Sequence, residues 1–105
     1  MSGFIEIQWS CASLDEARKV CHYLVQEKLV SCAQIIPSIE SIYIWNNQVE
    51  TAQESKVILK GAKENFEAIR EVIEKNSSYQ VPEILWRTIE GGNASYLNWM
   101  AETSK

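Results

Sequence analysis

Hydrophobic and polar positions follow two different periods in the first part of the chain. In residues 4–10 every second residue is apolar, which is typical of a β-strand with one buried face. Ser13 and Glu16 then form a capping-box pattern, in which each side chain can satisfy a free amide at a helix start. Apolar residues recur at helical spacing from there to about Lys28. The pattern predicts a strand followed by an amphipathic helix.

A long stretch with strand character follows, from Ser31 to Lys60. The pair Asn46-Asn47 interrupts it and is a candidate turn, because Asn tolerates left-handed backbone angles. The unbroken apolar run Val57–Leu59 indicates a segment buried on both faces. On the outgoing strand one set of positions shares a single parity and is expected on one face: Ile35, Pro37, Ile39, Tyr43 and Trp45.

The rest of the chain repeats the first pattern. Apolar residues at helical spacing from Phe66 onward predict a helix that stops in Asn76-Ser77-Ser78 and whose start is poorly marked. A strand over Ile84–Ile89 follows. Gly91-Gly92 breaks the chain before a short last helix. The order βαββαβ predicts an α+β fold, a ferredoxin-like sandwich with both helices on one face of a four-stranded antiparallel sheet. One domain is expected to span residues 1–105.

The length of the predicted hairpin raises a physical problem. Cys32–Trp45 would span roughly 46 Å if fully extended, whereas a domain of this length has a diameter of roughly 33 Å. The hairpin must therefore bend at Pro37 or project beyond its own domain. Projecting apolar strands with free edges invite aggregation unless they are covered. A closed symmetric oligomer, in which each hairpin pairs with a neighbour, is the expected solution.

Composition narrows the class of protein. Hydrophobic residues make up 46% of the 105 residues and charged residues 23%, with a net charge of −4 and no basic patch, so nucleic-acid binding is not expected. No apolar run reaches the roughly 20 residues of a membrane helix, and the first ten residues lack a signal-peptide pattern. Three cysteines without CxxC spacing suit a reducing compartment. A small acidic cytoplasmic protein is expected.

Four segments, in order along the chain, resemble the CutA divalent-ion-tolerance family. They are Glu27–Pro37 (EKLVSCAQIIP), Ser41–Trp45 (SIYIW), Tyr79–Glu83 (YQVPE) and Tyr96–Trp99 (YLNW). The resemblance implies a ferredoxin-like subunit in a stable homotrimer, similar in build to the nitrogen-regulatory PII proteins. It also implies a cytoplasmic protein associated with tolerance of copper and other divalent metals.

The chain departs from that family's pattern at positions proposed to bind metal. Ser77-Ser78 stand where the family commonly has a His before its Pro-Tyr pair. Trp9 stands where metal-binding members can have a Cys at the end of the first strand. The hairpin tip after Trp45 lacks the family's Lys. A metal site built from the family's imidazole and thiolate ligands is therefore not expected.

The remaining soft-metal ligands are few. His22 is the only histidine, which excludes a His-based zinc or copper site within one subunit, and its helix position favours a surface residue. Cys21 lies on the apolar stripe of the first helix and is expected in the core, and Cys32 is also expected to pack there. Cys11 is placed in the turn before the helix, where an exposed thiol could bind a soft metal or oxidise. It is a weak candidate.

A cleft between subunits is the candidate ligand site. On the resemblance, the segments that form the cleft carry Tyr43, Trp45, Lys60, Tyr79 and Glu83. Lys60, with Glu83 as partner, could bind an anion or small metabolite, but a structural salt bridge and aromatic interface packing explain the same residues.

Three functions stay open at this point. The leading one is a trimeric binding or structural protein in the response to divalent metal ions, with no resident cofactor other than copper or another divalent cation. The alternative is a PII-like sensor that binds an anionic metabolite. An enzyme using Glu83 or Lys60 is a third, although phosphate-loop, GxSxG and HExxH motifs are absent.

Overall fold

The computed structural model describes residues 3–105, so Met1 and Ser2 of the predicted domain lie outside the described residues. The strands are β1 (Phe4–Cys11), β2 (Cys32–Trp45), β3 (Gln48–Ala62) and β4 (Glu83–Ile89). The helices are α1 (Leu14–Gln26), α2 (Phe66–Asn76) and α3 (Ala94–Thr103). The predicted order of elements is confirmed.

The four strands form one sheet in the order β2-β3-β1-β4, and each neighbouring pair is antiparallel. The hydrophobic core lies between one face of this sheet and the two helices α1 and α2. The fully buried side chains at its centre come from both layers: Ile5, Ile7, Trp9, Leu24, Leu59, Ile69 and Ile73. This is the predicted ferredoxin-like sandwich. Within residues 3–105, no helix combines the length and apolar character that crossing a membrane requires.

A β-bulge divides β2 into two parts. Ile36 pairs with Lys56, but Ile39 pairs with Glu54, so β2 advances three residues while β3 advances two. Pro37 lies within the irregular segment, where the missing N–H of proline removes no ladder hydrogen bond. The extra residue reverses the alternation of faces along the strand. The expectation that Ile35 shares a face with the odd positions after the bulge is therefore wrong.

Beyond the bulge, no third strand formed by residues 3–105 lies beside the hairpin. Residues 39–54, here called the distal hairpin, extend past the part of β3 that pairs with β1. Asn46 and Asn47 form its turn with φ angles of 52° and 64°, the left-handed pair that a two-residue hairpin needs. The chain measures 45 × 25 × 22 Å. The hairpin both bends and projects.

The helix boundaries depend on a few polar contacts. The Ser13 hydroxyl accepts a hydrogen bond from the Glu16 amide at 3.1 Å and caps α1, which confirms the Ser13 half of the predicted capping box. The helix ends two residues before the expected Lys28, which adopts a left-handed φ of 59°. There the Lys28 amide donates to the Val25 carbonyl and the Leu29 amide donates to the Leu24 carbonyl, both at 3.0 Å. This pair of hydrogen bonds is a Schellman motif.

The C-terminal residues form hydrogen bonds with the connections between helices and strands. The Ser31 hydroxyl donates to the Met100 carbonyl at 3.1 Å, and the Ser104 hydroxyl accepts from the Ala62 amide at 3.0 Å. The side chain of Asn65 does not cap α2 but donates instead to the carbonyls of Leu29 and Lys105. This use of Asn65 explains why the start of α2 is poorly marked in the sequence.

Candidate functional site

A cavity of about 570 Å³ opens where β1 ends and the distal hairpin begins. Its volume falls in the range of small-molecule sites, which is roughly 300–1,000 Å³. Strand residues form its floor and the loop between α2 and β4 forms one wall. The lining residues are Ser10, Ser41, Ile42, Tyr43, Trp45, Glu54, Tyr79, Gln80, Val81 and Glu83.

The sheet's alternation brings the strand residues of this cavity together. Trp9 and Cys11 point to the helices, so Ser10 between them points to the opposite face, which we call the open face. Ser10 pairs with Glu83 on β4, and β4 therefore presents that carboxylate on the open face as well. Tyr43 and Trp45 lie on this face as well, because their odd positions follow Ile39 opposite Glu54.

Two carboxylates with different surroundings define the charge of the cavity. Glu83 accepts hydrogen bonds from the Ser10 hydroxyl at 3.2 Å and from the Lys56 ammonium at 2.8 Å. Glu54 is paired differently. Burial raises the pKa of the Tyr79 hydroxyl, and a hydrogen bond to the Glu54 carboxylate raises it further. The charge of Glu83 is thus neutralised by a lysine, whereas Glu54 has a hydrogen bond from an uncharged phenol.

Four of the five residues predicted for the ligand site line this cavity: Tyr43, Trp45, Tyr79 and Glu83. Lys60 does not. It lies four residues further along β3, opposite Cys32, with its ammonium 5.6 Å from the centre of the Tyr96 ring. Within one chain the lysine that pairs with Glu83 is Lys56. The partnership of Lys60 with Glu83 across a cleft between subunits stays a prediction.

The prediction that Cys11, the weak metal candidate, lies in an exposed turn is wrong. β1 extends to this residue, which pairs with Ser55 and is fully buried instead of lying in an exposed turn. Burial raises the pKa of the thiol to about 11, so the thiolate that binds soft metals is scarce at neutral pH. Cys21 is in the core as expected, and burial raises its pKa to about 12. Cys32 is half-buried.

The side chains do not fit a dedicated copper site within one subunit. Among residues 3–105, no three side chains of His, Cys, Asp and Glu come together so as to hold a metal ion. His22 is exposed on α1, as predicted. Glu54 and Glu83 offer oxygen ligands, which suit hard divalent cations more than Cu(I).

Sequence reasoning missed three polar residues of the site: Ser10, Glu54 and Lys56. None belongs to a motif, and each lies in a strand where a polar side chain is expected on the solvent side. The alternation of Ile5, Ile7 and Trp9 already indicated that Ser10 faces away from the helices. The pairing of Lys56 with Glu83 requires the register of β3 and β4 against β1, which no local pattern contains.

Fold and cavity together define an α+β sandwich subunit with a projecting hairpin and an acidic, aromatic-lined cavity at its base. The model of the CutA1 divalent ion tolerance protein family matches residues 5–103. The chain belongs to this family.

Relatives from archaea and plants are similar to the chain in sequence. It is 35% identical over 103 residues to the divalent-cation tolerance protein CutA of Archaeoglobus fulgidus, with 98% of each chain covered. Chloroplastic CutA proteins of Oryza sativa and Arabidopsis thaliana are 33% and 34% identical over 91 residues. These 91 residues are 87% of this chain but 51% and 50% of the plant proteins, so the chain spans about half the length of these curated relatives.

Solved structures agree with the fold. The CutA1 crystal structure from Oryza sativa superposes with a TM-score of 0.93 at 30% identity, covering 97% of this chain and 94% of that one. CutA1 from Thermus thermophilus gives 0.93 at 31% identity, covering 97% and 99%. A structure from Archaeoglobus fulgidus, described as a periplasmic divalent cation tolerance protein, gives 0.91 at 32% identity, covering 95% and 97%.

Proposed function

We propose that the chain acts in tolerance of divalent cations, copper among them, as a non-catalytic homotrimer in the cytoplasm. Membership in the CutA1 family supports the role in tolerance. The observation that carries the binding role is the pair of carboxylates, Glu54 and Glu83, in one cavity. Fractionation of cells that express the protein at its natural level tests the compartment, and recovery in a membrane-enclosed or exported fraction contradicts the cytoplasm.

The distal hairpin supports the trimer. Ile42, Ile44 and Val49 are 69%, 70% and 73% exposed, although all three are large apolar residues in a regular ladder. β2 is also an edge strand, whose free backbone groups can pair with another chain. A closed ring of copies covers these side chains and edges without leaving new ones open.

Light scattering after size exclusion tests this assembly. A trimer has a mass of about 36 kDa, against 12.0 kDa for one chain. Ile44→Lys places a charge on the exposed hairpin and is expected to lower the mass. Glu27→Lys, at the exposed end of α1 and away from the hairpin, serves as the charge-change control. A native mass of one chain at micromolar concentration contradicts the trimer.

Divalent cations bind through carboxylate oxygens in this proposal. Glu54 and Glu83 are the acidic side chains of the cavity, and the buried, protonated thiols of Cys11 and Cys21 do not compete for the ion. Calorimetric titration with Mn²⁺ and Cu²⁺ tests the role. Glu54→Gln is expected to weaken binding roughly fivefold or more, because it removes a full charge from the cavity. Glu40→Gln, the same change at an exposed hairpin position, is expected to leave it unaltered.

The anionic-metabolite alternative depends on Lys60 as the group that binds the anion, and Lys60 does not line the cavity. The cavity contains two carboxylates, and the lysine beside it is already paired with Glu83. An anion would have to enter against this charge. We therefore propose cation binding in preference to a PII-like sensor of anions. An anion from a test panel that binds more tightly than Mn²⁺ would reverse that preference.

A further inference from the structure

The cavity's walls indicate a ligand class that divalent-cation tolerance does not require. Three aromatic rings, those of Tyr43, Trp45 and Tyr79, line the same space as the Glu54 and Glu83 carboxylates. Aromatic rings are poor ligands for hydrated divalent cations. Their faces do attract organic cations, whose charge is spread over a larger, weakly hydrated group.

Neither the three rings nor the Glu54 carboxylate has a cationic partner among residues 3–105. Elsewhere in the chain aromatic rings already carry a lysine: Lys60 lies over Tyr96, and Lys63 lies 5.3 Å from the centre of the Trp86 ring. Within residues 3–105, no lysine or arginine lies over the three rings of the cavity, and no salt bridge involves Glu54. The nearby lysine, Lys56, is held by Glu83 at 2.8 Å.

The charge balance has the sign that an ammonium group needs. Lys56 neutralises Glu83, while Glu54 pairs with the hydroxyl of Tyr79 and with no lysine or arginine among residues 3–105. This leaves the cavity with a net charge of about −1. Ile42 and Val81 supply an apolar wall next to these polar groups. At about 570 Å³ the cavity has room for more than a cationic head.

We propose that this cavity binds a small organic cation with an ammonium head and a short apolar body. The head lies against Glu54 and the faces of Tyr43, Trp45 and Tyr79, and the body lies against the apolar wall. The inference goes beyond the proposed tolerance function: the two share the cavity and its carboxylates, but the organic cation also needs the aromatic walls.

A matched set of four-carbon probes tests the ligand class on the full chain in its native assembly. The three probes each contain four carbons and differ in the charge of the head: n-butylammonium and n-butanol carry a butyl chain, and butyrate carries a propyl chain next to its carboxylate. At equal ionic strength, n-butylammonium is expected to bind at least roughly fivefold more tightly than n-butanol, and butyrate more weakly still. The shift of the Trp45 indole N–H signal, assigned by its loss in Trp45→Phe, locates the site.

Variants then separate the contribution of the Glu54 charge from that of the Trp45 ring. Glu54→Gln keeps the shape of the side chain and is expected to remove the preference for n-butylammonium over n-butanol. Calorimetry on Trp45→Leu is expected to show weaker binding, whereas Trp45→Phe retains a ring and most of the affinity. Glu40→Gln leaves the affinity unchanged, and light scattering confirms that each variant keeps the native mass.

Three results overturn the inference: binding of butyrate equal to that of n-butylammonium, an unchanged preference in Glu54→Gln, or no Trp45 shift with any probe. The last result is the one expected if side chains of a neighbouring copy fill the cavity. Mn²⁺ titration of the same samples keeps the two proposals apart. Binding of Mn²⁺ without n-butylammonium contradicts this inference alone, and the reverse result contradicts the proposed divalent-cation site alone.

Discussion

The Lys56 ammonium lies 2.8 Å from the Glu83 carboxylate, and this pair sets the charge at the base of the cavity. The two side chains come from β3 and β4, which do not pair with each other but both pair with β1 at Ser10. The lysine side chain is 21% exposed and the glutamate side chain 37%. The pair is therefore partly screened by water, and its contribution to stability is at most about 1 kcal/mol.

Removing the lysine should strengthen cation binding. Lys56→Met removes the cationic partner that Glu83 has among residues 3–105, so affinity for Mn²⁺ is expected to rise roughly threefold or more. Lys60→Met removes the same charge four residues away, beside Tyr96, and is expected to have little effect. Calorimetric titration of both variants is the measurement, and an equal change in both would contradict the assignment of Lys56 to the cavity.

The buried thiols should make stability fall in alkaline solution. The pKa values of Cys11 and Cys21 are raised, by burial first, from 9.0 to about 11 and about 12. As pH rises above 9, the unfolded chain loses these protons before the folded one. The stabilisation is complete below pH 9 and is lost up to the folded values, with a slope of up to about 1.4 kcal/mol per pH unit for each thiol.

Urea unfolding at pH 8, 9 and 10, at fixed protein concentration, measures this slope. Cys21→Ala removes one of the two titrating thiols, so its unfolding midpoint should fall less steeply above pH 9 than that of the unchanged chain. The tyrosines are common to both proteins, so their contribution cancels in the comparison. Identical slopes would show that Cys21 is not protected from ionisation.

Gly61 is expected to resist substitution for lack of space. A Cβ atom at this position would lie 3.0 Å from the Leu29 carbonyl oxygen and 3.1 Å from the Val30 Cα, both backbone atoms that cannot rotate away. Gly61→Ala should therefore lower the free energy of unfolding by about 1–3 kcal/mol. Gly91→Ala, where a Cβ meets nothing within 4 Å, is the control and should be neutral. Thermal unfolding of the two variants decides the point.

Lys28 offers a stabilising change. Its φ of 59° closes the Schellman motif after α1, a conformation that glycine adopts without the steric cost of a Cβ. Relief of the left-handed strain is worth about 1–2 kcal/mol, and the extra freedom of glycine in the unfolded chain offsets about 0.5–1 kcal/mol of it. Lys28→Gly is therefore expected to raise the free energy of unfolding by up to about 1 kcal/mol. Lys28→Ala removes the same charge but keeps the Cβ, and should give no such gain. A denaturation curve for Lys28→Ala that matches Lys28→Gly would assign the effect to charge.

The sequence predicts the sandwich well because each element carries its own signal. The period-2 pattern of β1, the capping pair Ser13 and Glu16 and the turn Asn46-Asn47 are local, and the structure has each of them at the expected place. Cys11 is the exception among local features. Its parity with the buried residues of β1 predicts burial once that strand is extended by one residue.

The site is less accessible to sequence reasoning because it depends on register. Tyr43, Trp45, Tyr79 and Glu83 are recognisable by residue type and by family segment. The choice between Lys56 and Lys60 is different: both are lysines on the open face of β3, four residues apart, and only the pairing of β3 with β1 decides which reaches Glu83. The side chain of Asn65 likewise contacts residues distant in sequence.

The bulge at Ile36–Ile39 accommodates one extra residue in β2 without changing which side chains reach the cavity. Deleting Ser38 would restore the regular alternation, and Tyr43 and Trp45 would still lie on the same face as Glu50 and Gln48, the residues with which they pair on β3. The deletion would instead remove the local bend and added twist that a bulge gives a strand. Related chains without the extra residue can therefore keep these side chains on the open face, but on a straighter hairpin.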